Sequence, residues 1–187
     1  MLLITNNIES YMDLPSRAIV RINMAWENSP KKVEKAIKGT LNQVYLDFPM
    51  GRTKHPLPRF TLDQAIEIAN KYAGKIKLFA ISNVESPELM AIVREKLDKQ
   101  INIVPKIETE TGVKNVVRIC KSAKTKVVML DREDLTSSLK YNMKKVLAAV
   151  DSLYAQANKN KIQVLGLQGV VFADKKLGDS SSITSYK

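Results

Sequence analysis

The chain has 187 residues, of which 44% are apolar and 26% charged, so it can bury one substantial core but contains no run long enough to span a membrane. Its single cysteine, Cys120, excludes an internal disulfide, and its net charge of +11 predicts attraction to anions without naming one. The N-terminal segment "MLLITNNIES" has a short apolar run with no basic residues before it, so we expect no secretory signal and an intracellular, cytoplasmic location.

Short apolar runs alternate with longer segments of helical period along the chain, a pattern typical of βα units around a parallel sheet. Helix starts are indicated by Ser29 before Pro30, by Thr61 before Gln64, and by Ser86. Segment 136–158 is predicted as one helix with core positions Leu139, Met143, Val146, Leu147, Val150 and Leu153. The predicted strands are 2–5, 18–23, 43–48, 76–81, 102–107, 126–131 and 162–173.

Seven strands and about six helices in this order favour a TIM-type (β/α) barrel over an open doubly wound sheet, because no glycine-rich phosphate turn follows the early strands. Such barrels usually need about 250 residues, so we expect a short or incomplete one. Residues 1–173 are predicted to form the single barrel domain and residues 174–187 a polar tail. The barrel is either trimmed, or shares its last strand within 162–173, or is completed by another chain.

Polar side chains recur where the predicted strands end. In a βα barrel the carboxyl ends of the strands face one mouth, so these residues are expected to lie together. Strand 76–81 runs into Ser82 and Asn83, to which the pattern assigns no role. The residues that we single out at the other strand ends are Arg21, Asn23, Asp47, Lys106, Glu108, Arg132 and Asp134.

Lys106 and Glu108 have the same parity, so both should point to one side of their strand. Glu108 and the Asp131/Asp134 pair follow consecutive strands, which parallel pairing holds about 4.8 Å apart. Carboxylates this close repel unless a cation lies between them, and Mg2+ meets that need. Lys106 and Arg21 would then face an anionic substrate. The alternative is a buried ion-pair network in which these two cations neutralise the carboxylates.

Five segments together resemble a known superfamily. They are "RINMAWENSPKKVEKAIKG", "VYLDFPMGRTK", "FAISNVESPELMAIVREKL", "IVPKIETETGVKNVVRICKSA" and "VVMLDREDL". In order, they resemble the barrel strands of the pyruvate kinase-like superfamily of phosphoenolpyruvate/pyruvate domains, which also holds the HpcH/HpaI aldolases and the citrate lyase beta subunit. The resemblance covers about residues 18 to 135, and "KIE" followed by a glycine and later by "R-x-D-L" carries most of it.

The resemblance implies a role for each singled-out residue. Glu108 and Asp134 would bind Mg2+ or Mn2+, and Lys106 would stabilise an enolate or a transferring phosphoryl group. Arg21 would orient the anionic end of a small 2-oxo acid or an enolpyruvate-type ligand. In the kinase pattern Asn23 and Asp47 help to bind a monovalent cation. Together with Arg21, we predict Asn23, Asp47 and Arg132 as substrate-binding residues.

The function that we predict is a Mg2+-dependent carbon-carbon lyase or aldolase acting on such a ligand through a metal-stabilised enolate. Full pyruvate kinase activity is not expected, because "PMGRTKHPLPRF" stands where the kinase has a lid domain. The alternative is a non-catalytic barrel with a binding or regulatory role, favoured by Glu133 where the kinase motif has glycine. Nucleic acid is the least favoured partner, no membrane partner is expected, and a homo-oligomer stays open.

Overall fold

The computed structural model describes residues 2–5, 14, 16–27, 29–52, 55–57 and 59–166. Strands and helices alternate along the chain after the first strand, as predicted, except that two helices separate the last two strands. The strands are β1 (Leu2–Thr5), β2 (Ala18–Asn23), β3 (Gln43–Phe48), β4 (Ile76–Ile81), β5 (Asn102–Ile107), β6 (Val127–Leu130) and β7 (Gln163–Gly166). The helices are α1 (Pro30–Gly39), α2 (Leu62–Lys71), α3 (Pro87–Lys96), α4 (Glu110–Ala123), α5 (Arg132–Ser138) and α6 (Met143–Lys159).

The seven strands form one parallel sheet in which their spatial order is their order along the chain. Within the described residues the sheet ends at β1 and at β7, so the prediction of an incomplete (β/α) barrel is confirmed. The last part of the predicted strand 162–173 and the predicted polar tail lie outside the described residues. Among the helices described, none combines the length and apolar character that crossing a bilayer requires.

The helices begin where capping side chains satisfy their free backbone N–H groups. The Ser29 side chain accepts a hydrogen bond from the Lys32 N–H, and Thr61 with Gln64 forms a reciprocal capping box. The side chains of Ser86 and Thr109 each accept one backbone hydrogen bond and so cap α3 and α4. Each strand is therefore followed by a short connection with a defined helix start, which fixes where the strand ends lie.

The prediction of one helix over 136–158 is wrong. Lys140 and Tyr141 have φ values of 51° and 58°, in the left-handed region that a right-handed helix cannot pass through. Asn142 then caps a new helix, α6, by accepting a hydrogen bond from the Lys145 N–H. Of the six predicted core positions, Val146, Val150 and Leu153 are buried and Leu139 is half-buried, whereas Met143 and Leu147 are exposed.

Apolar side chains pack on both faces of the sheet. One large cluster lies between the strands and the helices, as parallel βα units require. A smaller cluster comprises Ile19, Tyr45, Leu78, Ala80, Val104 and Met129. Because Tyr45 alternates with Leu46, which belongs to the large cluster, the smaller cluster lines the interior of the barrel. Tyr45 precedes Asp47 and Val104 precedes Lys106 by two residues, so an apolar layer lies beneath these polar side chains. Ala80 is in register with Asp47, and Met129 with Lys106.

Gly112 permits a close approach between α4 and the connection after β4. A Cβ atom at this position would lie 2.7 Å from the Val84 carbonyl oxygen, closer than Cβ atoms approach other atoms. The Gly112 N–H also donates to the Thr109 side chain at the helix start. The glycine that follows "KIE" is therefore explained by packing.

We expect Gly112→Ala to destabilise the protein by about 1–3 kcal/mol, because the added methyl group must push two elements apart. Urea denaturation measures the change. Gly74→Ala is the matched control, since nothing lies within 4 Å of its added Cβ atom, and it should stay within about 1 kcal/mol of the parent. Equal stabilities of the two variants would contradict this account of Gly112.

Candidate active site

The polar residues of the mouth come from adjacent strand ends. Asn23 of β2 is in register with Asp47 of β3, and Ile107 of β5 is in register with Leu130 of β6. One position further along, Glu108 and Asp131 follow those two strands side by side. Parallel pairing therefore gathers a row of charged residues at one end of the sheet, as the sequence predicted.

Lys106 occupies the centre of this row. Its side chain is only 6% exposed, and its Nζ atom lies 2.9 Å from Glu108 Oε1. The same atom donates a hydrogen bond of 2.9 Å to the Ser82 hydroxyl. It also lies 3.9 Å from one oxygen of Asp47 and 3.9 Å from one oxygen of Asp131. A single buried ammonium is thus shared among three carboxylates.

Arg21 pairs with the carboxylate on the next strand. Its Nε atom donates to Asp47 Oδ2 at 2.8 Å, and its Nη2 atom contacts the same oxygen. The other oxygen, Asp47 Oδ1, is buried and has no hydrogen-bond partner among the described residues. Since a buried polar atom without a partner is costly, this oxygen is a position where a ligand group can bind.

Asn83 holds Glu108 in place from the end of β4. Its φ of 51° turns its backbone N–H toward Glu108 Oε2, at 2.9 Å. Its side-chain amide donates to the Met50 carbonyl oxygen at 3.1 Å, which ties the two strand-end connections together. The sequence placed Ser82 and Asn83 at a strand end but gave no sign of these bonds. Asparagine tolerates the left-handed conformation better than most residues, which is the one signal that was present.

Three carboxyl groups converge beside Lys106. Glu108, Asp131 and Asp134 each direct one carboxylate oxygen into the cluster. These three oxygens lie within 4.8 Å of one another. Asp131 caps α5 by accepting a hydrogen bond from the Asp134 N–H at 3.3 Å. Glu108 Oε1 is in ion-pair contact with Lys106 but lacks a partner with hydrogen-bond geometry. The sequence placed the Asp131/Asp134 pair near Glu108 but named only Glu108 and Asp134 as metal ligands. Asp131 joins the cluster because it caps α5 and directly follows Leu130, which is in register with Ile107.

Burial sets the electrostatics of this cluster. It raises the pKa of Glu108, because Lys106 and the Asn83 N–H offset the loss of solvent only in part. Burial alone would lower the pKa of Lys106, but Asp47 and Glu108 overcome it and the pKa is raised. The pKa of Arg21 is likewise raised by Asp47 against the effect of burial. Both cations therefore stay charged at neutral pH.

The other predicted site residues lie around this centre. The Asn23 side chain accepts a hydrogen bond from the Ala25 N–H at 3.0 Å, which shapes the turn after β2. Arg132 begins α5 with an exposed side chain, and Glu133 beside it is also exposed. The roles of Asn23 and Arg132 in substrate binding stay predictions.

The raised pKa of Glu108 predicts a pH dependence of stability. The stabilisation that this group contributes is complete below its ordinary value of 4.5 and is lost as the pH rises through the folded-state pKa. The parent therefore loses stability between about pH 4 and about pH 7, whereas Glu108→Gln does not, because glutamine does not titrate. The free energy of unfolding of Glu108→Gln minus that of the parent should accordingly increase over this range. Urea denaturation in buffers that contain EDTA measures this difference.

Glu110→Gln provides a control of opposite sign. Glu110 is exposed, and its ion pair with Lys114 lowers its pKa, so its contribution is present at neutral pH and lost on acidification. The corresponding difference should therefore decrease slightly as the pH rises. A decrease for Glu108→Gln as well would contradict the electrostatics described above.

Comparisons with known proteins agree with this architecture. The family model for HpcH/HpaI aldolase/citrate lyase matches residues 4–179. The crystal structure of the citrate synthase SbnG superposes with a TM-score of 0.65 at 10% sequence identity, over 89% of this chain and 76% of that one, which shows a shared fold. No curated protein sequence matches the chain. The predicted phosphoenolpyruvate/pyruvate superfamily is confirmed, a lyase-type activity is supported, and the chain belongs to the HpcH/HpaI aldolase/citrate lyase family.

Proposed function

We propose that the protein is a Mg2+- or Mn2+-dependent carbon-carbon lyase or aldolase that acts on a small 2-oxo acid or an enolpyruvate-like substrate. The observation that carries the proposal is the convergence of three carboxyl groups beside two buried cations. Glu108, Asp131 and Asp134 lie on one side of Lys106, and the ion pair of Arg21 with Asp47 lies on the other. Membership of an aldolase and lyase family supports the same class of reaction.

The residues fit a hard divalent cation. Mg2+ and Mn2+ prefer carboxylate oxygens, and one or two carboxylates with substrate oxygens usually suffice. Glu108 Oε1 is buried and contacts the Lys106 ammonium without hydrogen-bond geometry, so the ion would share this oxygen with Lys106. Glu108, Asp131 and Asp134 would hold the ion. When bound, it would supply Lewis acidity toward the carbonyl and carboxylate oxygens of a 2-oxo acid.

Lys106 and Arg21 would supply fixed positive charge where negative charge develops on the substrate. Lys106 is held by Glu108 and Ser82, and Arg21 by Asp47, so neither must reorganise during the reaction. Both are largely shielded from solvent, which strengthens their interaction with an anion. Asp47 Oδ1 can accept a hydrogen bond from a substrate hydroxyl. The two fixed positive charges would stabilise an enolate, which is anionic, more than they would stabilise a neutral product.

A second candidate is a binding or regulatory barrel without catalysis. One observation favours it: Lys106 already neutralises the carboxylates around it, and Arg21 is already paired with Asp47. A cluster that is balanced in this way can be structural. The two candidates differ in turnover, since both can bind an anion but only the first exchanges a proton of the bound anion with solvent.

Oxalate, a mimic of enolpyruvate, tests the binding site. With Mg2+ and oxalate at about 100 times its dissociation constant, the parent should gain about 2.7 kcal/mol of stability, measured as a thermal shift. Glu108→Gln and Asp134→Asn should lose this gain, because each removes one anionic ligand for the ion. Glu110→Gln should keep it, since that side chain is exposed and pairs with Lys114.

The metal-dependent proposal fails if oxalate gives the same shift with EDTA as with Mg2+. It also fails if Glu108→Gln responds as the parent does.

Proton exchange tests catalysis. We expect the protein with Mg2+ to exchange the methyl protons of pyruvate with D2O, followed as the loss of the methyl signal in proton NMR spectra. Lys106→Met should slow the exchange by about 10²- to 10³-fold, because a preorganised cation at the developing enolate is lost. Lys114→Met is the control for a surface lysine on α4. Arg21→Lys gives a second measurement if Lys106→Met does not fold.

The outcome decides between the two candidates. An oxalate shift without any exchange above the Mg2+ background would favour the binding domain over the lyase.

A further inference from the structure

Ser82 stands beside Lys106 at the mouth, on the neighbouring strand. Ala80 of β4 is in register with Val104 of β5, and both line the interior of the barrel. Ser82 and Lys106 each follow two residues later, so both side chains point to the same side. Ser82 is only 7% exposed, and its backbone N–H donates to the Phe48 carbonyl oxygen at 3.0 Å. The position of its hydroxyl is therefore fixed by β3 and β4.

The Ser82 hydroxyl has an unused hydrogen-bond donor. Its oxygen accepts a hydrogen bond of 2.9 Å from Lys106 Nζ. A hydroxyl can also donate one hydrogen bond, but within the part of the chain that the structure describes the Ser82 hydroxyl donates none. An unmade hydrogen bond at a buried position is costly, so a group that enters the mouth is expected to accept it.

Lys106 has an unused donor next to that of Ser82. An ammonium carries three N–H groups, of which one donates to Ser82 and at most one more is engaged by Glu108 Oε1, at 2.9 Å. Asp47 and Asp131 each approach Nζ only to 3.9 Å, beyond hydrogen-bond distance. At least one N–H group therefore lacks an acceptor among the described residues. Two donor atoms that lie 2.9 Å apart can both reach one ligand oxygen.

We propose that Ser82 is a further substrate-binding residue, and that its hydroxyl and the Lys106 ammonium together bind one anionic oxygen of the substrate. This inference rests on the proposed function and narrows the ligand group. The two residues offer only donors at this point, so they select an enolate or carboxylate oxygen over an amide N–H group. Because the Ser82 oxygen itself accepts from an ammonium, its O–H group is polarised and becomes a stronger donor.

Oxalate titration of the full-length protein in saturating Mg2+ tests the contact, with the affinity measured by isothermal titration calorimetry. Ser82→Ala should raise the dissociation constant of oxalate about 10- to 100-fold, because a hydrogen bond to a charged group is lost. Thr125→Val is the matched control. Its hydroxyl is buried too, but it bonds to the backbone of Val127 at the start of β6, away from the mouth, so the affinity should not change.

A crystal structure of the parent with Mg2+ and oxalate separates a direct contact from an effect through Lys106. One oxalate oxygen should lie within about 3.2 Å of both Ser82 Oγ and Lys106 Nζ. A complex in which no oxalate oxygen lies within this distance of Ser82 Oγ overturns the inference, because the serine would then only position Lys106.

The titration also distinguishes this inference from the proposed function. Equal oxalate affinities of Ser82→Ala and the parent, with binding that requires Mg2+, would overturn the role of Ser82 alone. If the parent binds oxalate no better with Mg2+ than with EDTA, the proposed function fails and the inference fails with it.

Discussion

The shared ammonium of Lys106 is the interaction on which the mouth of the barrel depends. It lies within 3.9 Å of carboxylates from the ends of β3, β5 and β6, although in a flat sheet β3 and β5 would be about 9.6 Å apart. The curvature of the sheet therefore brings these side chains together. Once they are together, removing the ammonium would leave buried carboxylates facing one another, and the cost of such a change is about 3–5 kcal/mol.

Unfavourable local features collect around this ammonium. Burial raises the pKa of Glu108, Asp47 Oδ1 is buried without a hydrogen bond, and Asn83 has a left-handed backbone. Each feature costs stability by itself, and each points a polar group into the same small volume. The apolar layer beneath, which includes the fully buried Tyr45, supplies a rigid base for them. Several destabilising features in one small volume are typical of a functional site, where the local free energy of folding is less favourable than in a well-packed core.

The sequence predicted the fold well because the strands are marked by apolar runs and the helix starts by capping residues. Parity alone placed Lys106 and Glu108 on one side of β5. The order of the strands placed the Asp131/Asp134 pair at the strand end next to Glu108. It could not show that Asp131 is level with Glu108, since that depends on the register of β5 with β6. Nor could it reveal the bond from Asn83, which depends on one φ angle, or the break before α6, which occurs at Lys140 and Tyr141 without glycine or proline. Helical spacing also counted Leu147 as core, because spacing cannot tell which neighbours cover a helix face.

The charged residues of the mouth occupy only part of the incomplete barrel. Among the described residues, those that pair with Lys106 or Arg21 come from the arc between β2 and β6, and this arc is continuous in the sheet. The exposed residues Met143 and Leu147 of α6 lie beyond that arc, on the side of β7. Leu147 takes part in none of the ion pairs and hydrogen bonds described around Lys106, so the charged cluster is held together without α6.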